Sequence, residues 1–232
     1  MNLGQLVAKF RARVDDAVPP YLWTPDEAID YANQAVREAA ERAKLLLDST
    51  TDDVCLIDGL ANTGTYNLHP KIFEIESVSW DGRFLEGVAR DTLNRIYKYR
   101  GWDTITGRPT QFIDPQEKYL TLFRIPIADA PIKLVVYRYP LLDLAATTDI
   151  PEIDERYHYD LLHQMEYLAY LREDTETQDI ERAERAAEKF TAAFGVKIDA
   201  NMRRRQRERR SNQVRMNPDW GVGEAADPYR GM

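Results

Sequence analysis

Apolar positions recur at helical spacing near both ends of the chain and change to an extended pattern in between. Leu3, Leu6, Val7, Phe10 and Val14 place one apolar stripe on a first helix, which Pro19-Pro20 must end. Thr24 as N-cap, Pro25 at the first helical position, Asp26 in the first turn and Glu27 completing a capping box open a second helix. It is predicted to run to about Leu47, with Ala28, Ala32, Ala35, Ala39, Ala43 and Leu46 on one face and Ile29, Val36, Ala40 and Leu47 beside them. So much alanine permits close helix packing, and Trp23 is placed to pack back on the first turn.

After the polar break from Asp48 to Asp53 the periodicity becomes extended. Val54–Ile57, Thr65–Leu68 and Ile72–Trp80 are strand candidates, and Asp81-Gly82 before Arg83-Phe84-Leu85 is a hairpin signal. Asp91–Tyr99 reads as a short helix inside this module, with Gly101 after its last turn. Extended runs resume at Gly107–Phe112, Tyr119–Phe123 and Ile132–Tyr139, a spacing that suits an antiparallel meander.

Pro140 and Pro151 bracket the return to helix. Between Tyr157 and Leu171, ten of fifteen residues are apolar or aromatic, which covers more than one helix face. A helix apolar nearly all round is buried on several sides, and the extra side is a candidate contact with another subunit. Thr175–Asp179 turns the chain into a last amphipathic helix, from Glu181 to Phe194. The expected fold class is α+β. It is a helical bundle, made of an N-terminal helix pair and two C-terminal helices, with an inserted small antiparallel β module and an extended C-terminal arm. The corresponding boundaries are 1–50, 51–150, 151–200 and 201–232.

Composition adds exclusions. A chain of 232 residues that is 44% hydrophobic can build a core. No apolar run approaches the roughly 18 residues of a membrane span, and Met1–Val14 lacks the apolar stretch of a secretory signal, so neither membrane nor export is expected. One cysteine, Cys55, excludes an internal disulfide framework and reads as a small buried strand residue.

Catalytic chemistry has little to rest on, and no enzyme, cofactor or metal site is expected. His158 and His163 are five apart and do not share a helix face as paired zinc ligands must, while His69 precedes a proline. Arg108-Pro109 follows Gly107 where a phosphate-binding loop requires Lys and Ser or Thr, and Gly221-Val222-Gly223 has no preceding strand. The adjacent carboxylates Asp15-Asp16 and Asp52-Asp53 read as solvated element ends. Trp23 and Trp80 read as core.

The chain changes character after Phe194. Arg203, Arg204, Arg205, Arg207, Arg209, Arg210 and Arg215 are relieved only by Glu208, and Pro218, Gly221, Gly223, Pro228 and Gly231 punctuate the remaining residues. Residues 201–232 hold eight basic and four acidic side chains, +4, so the remaining 200 residues carry −12 of the total −8. Such an arm orders on something else. Its partner-binding candidates are those seven arginines with Trp220 and Tyr229 as aromatic anchors. If the arginines instead met DNA, seven phosphate contacts would give a slope of log affinity against log salt of about −6.

The segments YLWTPDEAIDYANQAVREAAERAKLLLDST, then GRPTQF and YLTLFRIPIADAPIKLVVYRYPLLDL, then IPEIDERYHYDLLHQMEYLAYLRED resemble bacteriophage head-to-tail adaptor (portal-tail connector) proteins of short-tailed phages, over residues 20–194. The resemblance lies in the order of elements and in local phrases, none of them a catalytic signature. It implies a structural virion protein at the portal vertex, assembled in the host cytoplasm into a homo-oligomeric, dodecameric ring. The ring would join portal protein to a tail nozzle or tail tube protein, and genomic DNA would pass through it without sequence-specific binding. By position, the arm would dock on the portal.

Overall fold

The computed structural model describes residues 1–98, 101–114, 118–172, 178–199 and 202. Six α-helices and eight strands make up the described residues, with short 3-10 turns at Trp102–Thr104 and Glu155–Tyr157. The helices are α1 (Leu3–Arg13), α2 (Pro25–Ala43), α3 (Asp52–Cys55), α4 (Arg90–Ile96), α5 (Leu161–Tyr170) and α6 (Ile180–Phe194). The strands are β1 (Leu47–Asp48), β2 (Leu56–Gly59), β3 (Thr65–Asn67), β4 (Ile72–Trp80), β5 (Arg83–Val88), β6 (Gln111–Ile113), β7 (Tyr119–Phe123) and β8 (Ala130–Arg138).

The strands hydrogen-bond in the order β1-β8-β4-β5-β6-β7-β3, and β2 also pairs with β8. This overturns the expected helical bundle with a small antiparallel β module: the sheet has eight strands and is mixed. The parallel pair is β5 with β6, registering Glu86 with Gln111 and Val88 with Ile113. Parallel neighbours need a crossover of about a dozen residues or more, usually helical. The chain between Val88 and Gln111 supplies it with α4. Sequence spacing showed the helix but suggested only neighbour-to-neighbour pairing.

The chain divides into two compact units. A helical unit comprises Met1–Cys55, His69–Glu76 and Leu134–Ile198, and a sheet unit is built from Leu56–Leu68 and Ser77–Lys133. In the helical unit, Leu3, Leu6, Phe10, Trp23, Ala28, Ala35, Leu161, Met165 and Phe190 join one continuous core. Trp23 meets Phe10 and Tyr170 edge-on at 6.0 and 6.1 Å, and its indole N–H donates to the Ala169 carbonyl at 3.3 Å. In the sheet unit, Val88, Leu93, Ile113 and Phe123 cluster under Tyr97, Trp102 and Ile105.

Caps explain the helix boundaries. Thr24 and Glu27 form the capping box: Glu27 N–H donates to the Thr24 hydroxyl, and Thr24 N–H donates to the Glu27 carboxylate at 2.8 Å. The far end of α2 falls short of Leu47 because Lys44 turns left-handed at φ 50°, while Leu45 N–H reaches back to the Ala40 carbonyl. Val54 and Cys55 are helical rather than extended. Asp48 accepts the Thr50 and Thr51 N–H groups, and Val54 and Cys55 N–H both donate to the Thr51 carbonyl, so the chain makes one helical turn before β2 begins.

Candidate assembly surfaces and the root of the arm

The seven arginines Arg203, Arg204, Arg205, Arg207, Arg209, Arg210 and Arg215, with Trp220 and Tyr229, lie outside the described residues. So does the extended arm they belong to, apart from Met202, whose N–H donates to the Asp199 carboxylate at 2.7 Å. What the structure does give is the root, the segment 194–199 that leads toward those residues.

That root is built by α6 and α2. Phe194, the last residue of α6, is buried against Phe190 and Tyr157 at ring distances of 4.7 and 5.8 Å. Gly195 follows at φ 84°, ψ 176°, a backbone region that essentially only glycine occupies, and its N–H closes on the Thr191 carbonyl at 2.8 Å. The helix therefore stops there. On α2, Arg42 lies with its guanidinium 5.0 Å from the Phe190 ring centroid and donates to the Thr191 hydroxyl and the Gly195 carbonyl, both at 3.3 Å. Its Nε donates to Glu38 at 2.8 Å, and Lys197 donates to the other oxygen of the same carboxylate at 2.9 Å. Burial alone would raise the Glu38 carboxyl, but the bonds from Lys197 and Arg42 outweigh it and hold it below its ordinary value.

A second polar cluster pins the loop after β8. Asp48 accepts from Arg138 Nε at 2.6 Å and from the Thr51 hydroxyl at 2.8 Å, while Arg138 also donates to Glu152 at 2.6 Å. Burial pushes the Asp48 carboxyl up, yet the Thr50, Arg138 and Thr51 bonds bring it well below the usual carboxylate range. Glu152 in turn accepts Leu141 N–H at 2.7 Å. Arg37 forks onto Asp143 at 3.0 Å through both carboxylate oxygens, and the Asn33 amide bonds both backbone groups of Leu144. The loop so fastened presents Leu142 and Ile150, 81% and 66% exposed. In the sheet unit, Phe84 beside the β4–β5 turn is 80% exposed.

The remaining chemical candidates are structural. Burial, then the Asp48 carboxylate, pushes the Cys55 thiol up to about 11, so it is not a thiolate near neutral pH. Asp16 is buried on Arg11 and accepts Leu22 N–H at 2.7 Å, so it is a core ion pair and not the solvated end expected. His158 Nε2 sits 2.9 Å from the Ile153 carbonyl, His163 lies beside Arg13 and Glu166, and His69 accepts Lys71 N–H. Among the described residues no group of His, Cys, Asp and Glu could hold a metal ion, and no helix is long and apolar enough to cross a membrane. Trp23 and Trp80 are core, as read from the sequence. The apolar faces of α5 are taken up by α1, α2 and α6 of the same unit, where its Leu161, Leu162, Met165 and Ala169 are buried.

Sequence reasoning passed over Glu38, Arg42, Gly195, Lys197, Asp48, Arg138, Glu152 and Gly59. Three had visible signals: Glu38 and Arg42 stand at i, i+4 on a helix, and Gly195 follows the last periodic residue of α6. Gly59 had none, since its need comes from packing. A Cβ there would sit 2.4 Å from both the Ala130 carbonyl oxygen and the Trp80 ring. Compared with known families, residues 1–217 match the model of the SU10 adaptor protein. No curated protein matches the chain.

Proposed function

The chain belongs to the SU10 adaptor protein family, a structural phage adaptor and virion component of the head-tail connector, and from that premise we propose that its copies form a ring between portal and tail, clamped to the portal by the arm. The family membership carries this reading. Charge supports it: residues 201–232, at +4, follow a body of residues 1–200 at −12, and their arginines need carboxylates to meet. Each arm, attached to one ring, needs only modest affinity, because attachment of the first raises the effective concentration of the rest. Genomic DNA would pass through the ring without being read, and the tail nozzle or tube would meet the opposite side. The ring is a dodecamer in this proposal.

Mass measured in solution, with and without isolated portal rings, tests it. A defined oligomer that forms on the portal is expected. A chain whose mass is unchanged by the portal contradicts the reading. The arginines could serve DNA instead, and then affinity for duplex DNA would fall with salt at a log–log slope of about −6 and vanish when Arg203 to Arg210 are replaced.

A further inference from the structure

We infer that Glu38, holding Arg42 with one oxygen and Lys197 with the other, is the positioning residue that fixes where the arm leaves the helical unit; the inference rests on the arm being an attachment device. Three observations converge on it. Phe194 ends α6 in the core, so the root starts from a fixed point. Gly195 then takes a glycine-only conformation, which gives the chain one definite exit in place of a frayed helix end. Lys197, two residues further on, would be free in solvent but for Glu38, from which it is separated by 159 residues of sequence.

The Glu38 carboxylate is 15% exposed and the Arg42 side chain equally so, whereas Lys197 is 62% exposed. The cluster is therefore a seated anion and a seated guanidinium with a removable third member. Arg42 bonds the Gly195 carbonyl as well, so the same guanidinium that seats Glu38 also holds the turn. In a ring, a shared exit point would let every arm reach the equivalent place on its partner. Arms released at the root would spread over a larger volume and lose effective concentration without losing any contact of their own.

Lys197→Gln tests this in the full chain, because an exposed side chain can be changed without harm to folding. Amide hydrogen exchange of Gly195, whose N–H is held by the Thr191 carbonyl beside Arg42, should speed up about three- to fivefold, the range open to a partly exposed pair, with the rest of α2 and α6 unchanged. Lys197→Arg should restore the wild-type rate, and about 1 M salt, where the screening length is about 3 Å, should mimic Lys197→Gln in the wild type. Portal attachment should weaken in Lys197→Gln and recover in Lys197→Arg. Unchanged exchange in Lys197→Gln overturns the inference, as does faster exchange with undiminished attachment. If the wild type itself ignores the portal, the functional reading fails and the exchange result alone judges the root.

Discussion

The helical unit carries 26 acidic and 14 basic side chains, a net −12, whereas Leu56–Leu68 and Ser77–Lys133 of the sheet unit carry 8 acidic and 9 basic, a net +1. The two also hold together differently. One has a continuous core of interlocking helices sealed by alanine contacts and aromatic edges. The other depends on strand register, a crossover and at least one backbone approach too close for any side chain. The lesson is that the acidity of this protein is a local property of the helical unit, the unit whose last described segment leads toward the cationic end of the sequence.

Substitutions can break that contrast. The largest loss is expected for Trp23→Ala, which removes the centre of the helical core and should cost about 3–5 kcal/mol in urea unfolding. Arg138→Met should cost about 3–5 kcal/mol, because Asp48 is left buried without its cation. Its acid response carries a sign. The folded Asp48 carboxyl lies below its unfolded value of about 3.9, so its stabilisation is complete above that pH and is lost as pH falls toward the folded value. The gap between wild type and Arg138→Met should thus be widest above pH 5, approximately, and narrow below about 4, in urea titrations at stepped pH.

Gly59→Ala should cost about 1–3 kcal/mol by forcing β2 away from Trp80 and Ala130, with loss of tryptophan near-ultraviolet dichroism. A neutral result there would mean that the sheet unit yields more readily than its contacts imply. Thr24→Ala should cost the least, about 1 kcal/mol, by removing the cap of α2.

The same contrast explains what could be read from the chain alone. α1, α2, α5 and α6 were legible because helical bonds are local: the stripe of Leu3, Leu6 and Phe10 and the Thr24–Glu27 box act within a few residues. Strand existence was legible too, at Ile72–Trp80 and Tyr119–Phe123. Strand partnership was not, since nothing near Gln111 announces that it will lie parallel to Glu86. Lys44 ended α2 by a left-handed turn without the glycine that usually marks one. At the candidate site, the root's pieces were visible singly, as a helix-ending glycine and an i, i+4 pair. Their meeting with Lys197 is a tertiary fact that no window of sequence contains.

Cutting the chain after residue 202 and comparing it with the full-length protein for binding to isolated portal rings, by sedimentation of the mixture, tests the central claim most directly. The account predicts that the shortened protein keeps its helical unit, unfolds at a near-identical urea midpoint and no longer sediments with the portal. Equal co-sedimentation of the two forms would contradict it.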